Sequence, residues 1–192
     1  MWKSLKTVVS FTRHLTETGA FSETSRFVER EISKHVDPGV PQYILEYGAG
    51  HGNITRHILS KMHPESRLVS FEINPDFCEL LRKINDPRLR VVEAPVNEVF
   101  DSVVPEEGSV DVIISSVPFT FLTPAQRIDL LEKSAFLLRP GGWMSQVLYL
   151  LTHFPLFKRF FPAATYKWTL NVPPAYVYHC QHLAVGSQQS AL

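Results

Sequence analysis

Three glycines at alternate positions follow an acidic residue in the segment Tyr43–His57, which reads Y-I-L-E-Y-G-A-G-H-G-N-I-T-R-H. Strand-forming residues precede Gly48, and apolar residues at helical spacing follow Gly52, so the segment predicts a strand, a tight turn and a helix. Glycine allows positive φ and close approach of a ligand, and the free N–H groups that open the helix face that ligand. The pattern therefore predicts a nucleotide-binding turn.

The spacing of the glycines separates two classes of nucleotide site. A dinucleotide-binding turn has two residues between its last two glycines, whereas a single residue lies between Gly50 and Gly52. Glu46, two residues before Gly48, would repel a pyrophosphate and attract a cationic ligand. A purely structural turn is the alternative, but the acid and the flanking elements favour a ligand site.

Length and composition predict one ordinary globular domain. The chain has 192 residues, of which 44% are hydrophobic and 20% charged, and its 19 basic and 19 acidic residues give no overall attraction to nucleic acid. Cys78 and Cys180 lack the spacing of a metal site, so we expect free thiols and no metal. We find no run of about 18 apolar residues and no secretory signal, and we therefore expect a cytoplasmic protein.

The remainder of the chain predicts alternating helices and strands. A first helix is predicted from Ser22 or Thr24 to Val36, with Ser22, Thr24 and Ser25 as candidate N-caps. Further helices are predicted at 53–62, 74–84 and 123–138, and strands at 43–47, 67–73, 89–92, 111–115, 143–150, 166–172 and 175–180. This order predicts an α/β domain with a mostly parallel sheet and a C-terminal hairpin.

Ligand sites of such sheets lie at the carboxyl ends of the strands. Glu46 and its glycines, Glu72, Ala94 and the pair Ser115–Ser116 all fall at predicted strand ends. Glu72 also lies twenty residues after Gly52, at the position where a βαβ unit places a carboxylate that accepts from ribose hydroxyls. Four loops therefore converge on one predicted site.

The E-x-G-x-G-x-G pattern resembles motif I of the class I methyltransferases, whose ligand S-adenosylmethionine carries an ammonium and a sulfonium. The resemblance implies a Rossmann-like fold with a mostly parallel seven-stranded sheet and helices on both faces. It also implies that S-adenosylmethionine is the cofactor and that the residues near it are Ser25, Glu46, Gly48, Ala49, Gly50, Gly52, Asn53, Glu72, Ile73, Ala94, Pro95 and Ser115. That family commonly has an adenine-binding Asp where this chain has Pro95, so the Ala94 backbone and Asn97 are the alternatives.

The loop S-S-V-P-F at 115–119 resembles the Asn-Pro-Pro-Tyr-like or Leu-Pro-containing turn of amine methyltransferases. Ser115 or Ser116 stands where the nucleic-acid amino methyltransferases have Asn or Asp. The resemblance implies that the catalytic residues are Ser116 and Pro118 in the turn, together with Tyr149. Phe119 is predicted either to contact the acceptor or to pack in the core. An acceptor ammonium must lose a proton before it attacks, and the candidate proton acceptors are Tyr149, Tyr166, His153 and water.

Motif I, this loop, the L-R-P-G-G segment and the ending N-V-P-P-A-Y-V-Y together resemble the bacterial phospholipid N-methyltransferases over roughly residues 20–180. That resemblance implies phosphatidylethanolamine as the acceptor and Phe119, Lys158, Arg159 and Tyr166 as substrate-binding residues. It also implies an apolar lid at 151–168, with Lys167 among the cations near the lipid phosphate.

Three ranges follow from the same resemblance. Residues 1–20 are predicted to form a basic amphipathic helix that contacts phospholipid on the inner membrane face, although packing of this helix on the domain is an equal alternative. Residues 21–185 are predicted to form the methyltransferase domain, and 186–192 a polar tail.

Other activities remain open at this point. An RNA adenine dimethyltransferase is disfavoured by the zero net charge and the absent Asn. A methyltransferase acting on a small-molecule amine and a cofactor-binding protein without catalysis are the remaining alternatives.

Overall fold

A computed structural model of the chain describes residues 24–96 and 108–183. The predicted N-terminal helix at 1–20, the tail at 186–192 and Asn97 lie outside the described residues. Seven strands form one sheet in the order β3-β2-β1-β4-β5-β7-β6. The predicted fold class, a Rossmann-like α/β sheet with a C-terminal antiparallel pair, is confirmed.

Helices and strands alternate along the chain as predicted. The helices are α1 (Arg26–Ile32), α2 (Asn53–Lys61), α3 (Pro75–Arg82), α4 (Pro124–Leu137) and α5 (Phe154–Phe160), with short 3₁₀ turns at Phe119–Phe121 and Leu151–His153. The strands are β1 (Tyr43–Tyr47), β2 (Arg67–Glu72), β3 (Leu89–Glu93), β4 (Val110–Ser115), β5 (Leu138–Leu148), β6 (Thr165–Thr169) and β7 (Ala175–Gln181).

Strands β1 to β5 pair in parallel, whereas β7 is antiparallel to both β5 and β6. The carboxyl ends of the parallel strands therefore lie at one edge of the sheet, which we call the carboxyl edge. The register pairs Leu148 with Tyr176, and Tyr176 with Trp168, so the start of β7 and the end of β6 lie at the same edge.

Helices cover both faces of the sheet, as the apolar character of the central strands requires. On one face Leu45, Tyr47 and Ile113 pack with residues of α4 and α5 such as Leu131 and Phe157. On the other face Ile44 and Ile114 belong to a second cluster with residues of α1 and α2. These two layers hold the strand ends, and with them the loops of the site, at fixed positions.

Local sequence determines where three of the helices begin. The Ser25 hydroxyl accepts from Val28 N, and the Asn74 side chain accepts from Asp76 N. Thr123 and Gln126 form a capping box at the start of α4. The N-cap prediction for Ser25 is thus confirmed, but α1 ends at Ile32 and is shorter than predicted.

Two other expectations about the second half of the chain were wrong. Residues 139–142 do not separate α4 from β5, because β5 already begins at Leu138. They lie within β5 as an irregularity between the pairs Leu138–Val110 and Trp143–Val112. Part of the segment 151–168, predicted to belong to an apolar lid, instead belongs to the core and the sheet. Phe157 and Phe161 are fully buried in the core, and Thr165 already begins β6.

A buried polar network ties α1 to the sheet. The ring of His179 lies 3.0 Å from the Ser145 hydroxyl and 3.1 Å from a Glu31 carboxylate oxygen. Burial lowers the pKa of His179 to about 4, so the imidazole is neutral at pH 7. All three side chains are buried or nearly so, and we assign them to the attachment of α1.

Candidate functional site

Four loops meet at the carboxyl edge. Tyr47 at the end of β1 is in register with Phe71 on one side and Ser115 on the other, and Glu72 is in register with Glu93. The loops that follow β1, β2, β3 and β4 therefore begin side by side, as the sequence predicted.

The glycine-rich turn has the left-handed backbone that its sequence predicts. Gly48, Gly50 and Gly52 have φ values of 74°, 53° and 83°. A Cβ added at Gly50 would meet nothing within 4 Å, whereas one added at Gly52 would lie 2.9 Å from Cδ2 of the buried Leu81. Gly50 thus borders open space in which a ligand can lie, and Gly52 is required by packing. Asn53 follows as the first residue of α2.

Glu72 is held by backbone N–H groups from two loops. One carboxylate oxygen accepts from Ile73 N and Asn74 N, both at 2.9 Å, and the other accepts from Gly50 N at 2.7 Å. A carboxylate has about four acceptor positions, so one stays open on the oxygen that faces the glycine turn. The structure therefore leaves Glu72 able to accept one further hydrogen bond, such as that of a ribose hydroxyl.

Glu46 is almost completely buried beneath the turn. One of its oxygens accepts from Thr55 Oγ1 at 2.8 Å and from Ser70 Oγ at 2.6 Å, and the other accepts no hydrogen bond within the described residues. Burial raises the pKa of Glu46 to about 7, and the two hydroxyls partly oppose this shift. A buried carboxyl with an unused oxygen fits a cationic ligand that supplies both positive charge and N–H donors.

The loop after β4 is attached directly to the glycine turn. Ser116 Oγ donates to the Gly48 carbonyl at 2.5 Å, and Ser116 N donates to the Tyr47 carbonyl at 2.9 Å. Ser115 is fully buried, and its Oγ accepts from Val117 N at 3.4 Å. Ser116 therefore joins the predicted acceptor loop to the predicted cofactor turn, and Pro118 follows two residues later.

The predicted substrate-binding residues are divided between the core and the surface. Phe119 is fully buried, and its ring lies 5.0 Å from that of Phe157. This agrees with the alternative that Phe119 packs in the core, and its burial is explained without contact to a ligand. Tyr166 is about half exposed and packs edge-on against Phe154. Tyr149, 43% exposed, directly follows β5 at the carboxyl edge.

Lys158 and Arg159 lie in the last turn of α5, directly after Phe157, which packs against Phe119 of the acceptor loop. Lys158 donates to the Pro162 carbonyl, and Arg159 lies 5.8 Å from the Phe160 ring. The chain then enters β6 at Thr165, three residues before Trp168, which lies at the carboxyl edge. Lys167, the other cation predicted near a phosphate, bonds to Glu31 at 2.6 Å. All three cations thus contact neighbouring protein groups, and their role near a lipid phosphate stays a prediction.

The remaining predicted cofactor neighbours occupy the loops around the turn. Ala49 is buried in the turn, Ile73 is half buried beside Glu72, and Ala94 and Pro95 are half buried after β3. Ser25 does not lie in these loops. Its N–H and hydroxyl donate to Asn171 and to the Leu170 carbonyl, so its contacts are those of an N-cap tied to the end of β6.

A family model described as a methyltransferase domain matches residues 44–142, just over half of the chain. The chain belongs to this methyltransferase domain family. The match begins in β1 and runs through the glycine turn and the loop after β4 into β5. It confirms the predicted enzyme class, an S-adenosylmethionine-dependent methyltransferase, and the predicted cofactor.

Known relatives agree with this assignment. The chain is 28% identical over 177 residues to an ornithine lipid N-methyltransferase from Singulisphaera acidiphila, covering 89% of this chain and 92% of that protein. Its fold is similar to that of the 1,6-didemethyltoxoflavin-N1-methyltransferase of Burkholderia thailandensis, at TM-score 0.69 and 16% identity, over 94% of this chain and 87% of that one. A methyltransferase of Aquifex aeolicus matches at TM-score 0.65 and 11% identity, over 88% and 98% of the two chains.

The described residues fit S-adenosylmethionine. Gly50 leaves open space above the turn, Glu72 keeps one acceptor position, and Glu46 keeps an unused oxygen for a cationic group. When bound, the cofactor supplies an activated methyl group on its sulfonium, and the protein supplies position and electrostatics. Within residues 24–96 and 108–183 no three His, Cys, Asp or Glu side chains are grouped to hold a metal ion.

We predict that Glu72→Ala weakens S-adenosylmethionine binding at least about 30-fold. The variant loses the free acceptor position of the carboxylate and the hydrogen bond that Gly50 N donates to it. Isothermal titration calorimetry measures the effect. Glu93→Ala is the matched control, since Glu93 is the register partner of Glu72 but is exposed and pairs with Arg82. Equal affinities of Glu72→Ala and the wild type would contradict the ribose assignment.

Sequence reasoning missed the polar side chains that hydrogen-bond to Glu46 and to the acceptor loop. Thr55 and Ser70 hold Glu46, and Gln146 donates to the Val117 carbonyl from the neighbouring strand. Ser70 could have been found, since the parallel pairing of β1 with β2 places it opposite Glu46. Gln146 carried no such signal, because its relation to the acceptor loop depends on a register shift in β5.

Proposed function

We propose that this enzyme transfers methyl groups from S-adenosylmethionine to the head-group amine of a membrane lipid. The observation that carries the proposal is the similarity, over nine-tenths of the chain, to an ornithine lipid N-methyltransferase. Phosphatidylethanolamine, which presents a comparable primary amine, is the alternative acceptor. Two features of the structure support action at a lipid surface.

The first feature is a set of exposed apolar side chains at the carboxyl edge, which we call the apolar rim. Its members follow or end the strands β5 and β6: Tyr149, Leu150, Trp168, Leu170 and Val172, which are 43% to 79% exposed. Trp and Tyr with aliphatic neighbours are the residues that proteins place at a membrane interface. The rim thus lies at the same edge of the sheet as the cofactor turn.

The second feature is the distribution of charge along the sequence. All 19 acidic residues lie between Glu17 and Glu132, whereas the 60 residues after Glu132 carry five Lys or Arg and no acid. The strands β6 and β7, which form one end of the sheet, belong to this acid-free part. Three of these five cations pair with acids from elsewhere in the chain, so Lys158 and Arg159, which have no acidic partner among the described residues, are the charges that would attract an anionic lipid surface.

The chemistry needs an amine lone pair directed at the methyl carbon. A nitrogen–carbon bond forms as the carbon–sulfur bond breaks, the electron pair of that bond stays on sulfur, and the new ammonium releases one proton to water. An alkylammonium has a pKa of about 10, so the neutral amine is the minor form at pH 7. Burial raises the pKa of the Tyr149 phenol further, so Tyr149 is neutral at that pH and can accept a hydrogen bond. Burial lowers the pKa of His153, which leaves a neutral imidazole beside Phe119.

The function is tested by methyl transfer from labelled S-adenosylmethionine to vesicles of defined composition. Four preparations are compared: vesicles with ornithine lipid, with phosphatidylethanolamine, with both plus an anionic lipid, and with only phosphatidylcholine and the anionic lipid. We expect label in an aminolipid, and more of it when the anionic lipid is present. Label in neither aminolipid, despite cofactor binding, would remove the lipid assignment and leave small amines and RNA as acceptors.

We predict that the double variant Trp168→Ser and Leu170→Ser lowers binding to anionic vesicles about tenfold, because it removes two large side chains from the rim. Co-sedimentation with vesicles measures binding, and cofactor affinity should not change. Phe136→Ser is the control, because Phe136 is 56% exposed but lies at the end of α4, just before β5 begins at the opposite edge. Equal losses in the two proteins would contradict a docking role for the rim.

A further inference from the structure

Gln146 is a fully buried polar residue beside the acceptor loop. It lies on β5 in register with Ser115 of β4 and with Tyr178 of β7. Paired residues of neighbouring strands share a face, so the Gln146 side chain lies on the same face of the sheet as Ser115. A buried amide two residues before the carboxyl end of its strand requires partners.

The nitrogen of this amide is fully used. Gln146 Nε2 donates to the Val117 carbonyl at 3.0 Å and to the Val147 carbonyl at 2.9 Å. An amide nitrogen has two hydrogens, and a carbonyl oxygen cannot donate. These two contacts therefore fix which end of the amide is nitrogen and which is oxygen.

The oxygen of the same amide is unused. Gln146 Oε1 is buried and accepts no hydrogen bond from any described residue. A buried acceptor without a donor is unfavourable, and such groups in native proteins mark a ligand or another specific role. A ligand that satisfies Oε1 must bring an N–H or O–H donor.

The location identifies that donor. Val117, which Gln146 holds, lies between Ser116 and Pro118 in the loop after β4, and Ser116 Oγ is bonded to Gly48 of the cofactor turn. Only this short connection separates the amide from motif I. The loop itself, S-S-V-P-F at 115–119, contains no carboxamide side chain.

We infer that the Gln146 carboxamide binds the acceptor amine, with Oε1 accepting one N–H of the neutral amine while the nitrogen lone pair faces the methyl group. Gln146 thus supplies, from the adjacent strand, a carboxamide that the loop itself lacks. The inference rests on the proposed function, since it requires an amine acceptor.

The inference makes the contribution of Gln146 depend on the degree of methylation. A neutral primary amine has two N–H bonds, its monomethyl product one and its dimethyl product none. The first two transfers can therefore use the hydrogen bond to Oε1, and the third cannot. A residue that only supported the loop would affect all three transfers alike.

The test compares wild type, Gln146→Met and Gln146→Glu on the aminolipid that the wild type methylates and on its N-methyl and N,N-dimethyl forms. We expect Gln146→Met to lower kcat/KM about tenfold for the first two substrates and less than twofold for the third. The acid in Gln146→Glu, held neutral by burial between two carbonyls, keeps one donor and one acceptor, so we expect it to retain most of the activity.

Met144→Leu serves as the control for folding, because Met144 is equally buried two residues earlier on the same face of β5. Thermal unfolding and cofactor affinity are measured for every variant. Equal slowing of all three transfers in Gln146→Met, no slowing at all, or equal loss in Gln146→Met and Gln146→Glu would each overturn the inference. A wild type that methylates neither aminolipid would instead contradict the proposed function.

Discussion

Replacing Gly50 with alanine is expected to weaken S-adenosylmethionine binding at least about 100-fold while leaving the protein folded. The added methyl group meets no protein atom within 4 Å, so it enters the space above the glycine turn that we assign to the cofactor. A displaced cofactor that loses about 3 kcal/mol of contacts binds about 100-fold more weakly. The left-handed φ of 53° makes alanine unfavourable by only about 1–2 kcal/mol. Calorimetric titration and thermal unfolding measure the two effects separately.

Gly52→Ala is the matched comparison and should behave in the opposite way. Its Cβ would lie 2.9 Å from Cδ2 of the buried Leu81, and φ is 83°, so we expect a loss of about 2–4 kcal/mol in the free energy of unfolding. Whatever fraction stays folded should bind the cofactor with higher affinity than Gly50→Ala does. If Gly50→Ala binds like the wild type, the cofactor does not occupy the space above Gly50.

The second large effect is expected from the pH dependence of Glu46. Burial raises the pKa of its carboxyl from 4.5 to about 7 in the folded protein. Between these two pH values the folded state holds a proton that the unfolded state has released, so the free energy of unfolding falls as the pH rises. The loss amounts to about 3 kcal/mol between pH 4.5 and pH 7, and it is complete above pH 7.

Glu46→Gln isolates this contribution. His35 and His179 have pKa values lowered to about 3 and 4, which makes the protein more stable as the pH rises, but they do so in both proteins. Denaturant unfolding at several pH values should therefore show that wild type loses about 3 kcal/mol relative to Glu46→Gln across this window. Parallel curves for the two proteins would show that Glu46 has an ordinary pKa.

The affinity for the cofactor should also depend on the protonation of Glu46, but it should increase with pH, whereas the free energy of unfolding decreases. A cationic ligand favours the carboxylate, so binding in the wild type releases a proton and the affinity falls about tenfold for each pH unit below 7. Glu46→Gln should bind more weakly at pH 7 and lack this slope. Titrations in two buffers of different ionisation enthalpy detect the released proton directly.

The features that could be predicted from the sequence are those determined by neighbouring residues. Thr123 with Gln126 and Asn74 with Pro75 begin helices through contacts within one turn, and the glycine turn between β1 and α2 has the backbone that its sequence requires. The parallel sheet followed from the alternation of these elements. Glu72 was found because its distance from Gly52 along the chain is fixed by one βαβ unit.

The features that escaped prediction depend on contacts between distant residues. Nothing local distinguishes Phe157 and Phe161, which lie in the core, from Phe154 and Phe160, which are only half buried, because a short helix buries one face according to what packs on it. The α4–β5 junction was misplaced because Leu138 already pairs with Val110 of β4. Residues 139–142 form an irregularity within β5 before the pairing resumes at Trp143, against the local preference of Pro and Gly to end a strand. The position of the Gln146 amide beside the acceptor loop is a result of that pairing and could not be read from the sequence.

The uneven placement of acids along the chain has one further consequence. The net charge is zero, yet the residues after Glu132, which build the β7–β6 end of the sheet, contain no acid. Among the described residues, Glu31 of α1 is the acid that pairs with these two strands. A neutral molecule with separated charge feels a torque in an electric field rather than a net pull. If the enzyme acts at an anionic bilayer as proposed, we expect the field within about one Debye length, roughly 8 Å at physiological salt, to turn it with β6 toward the lipid before it binds.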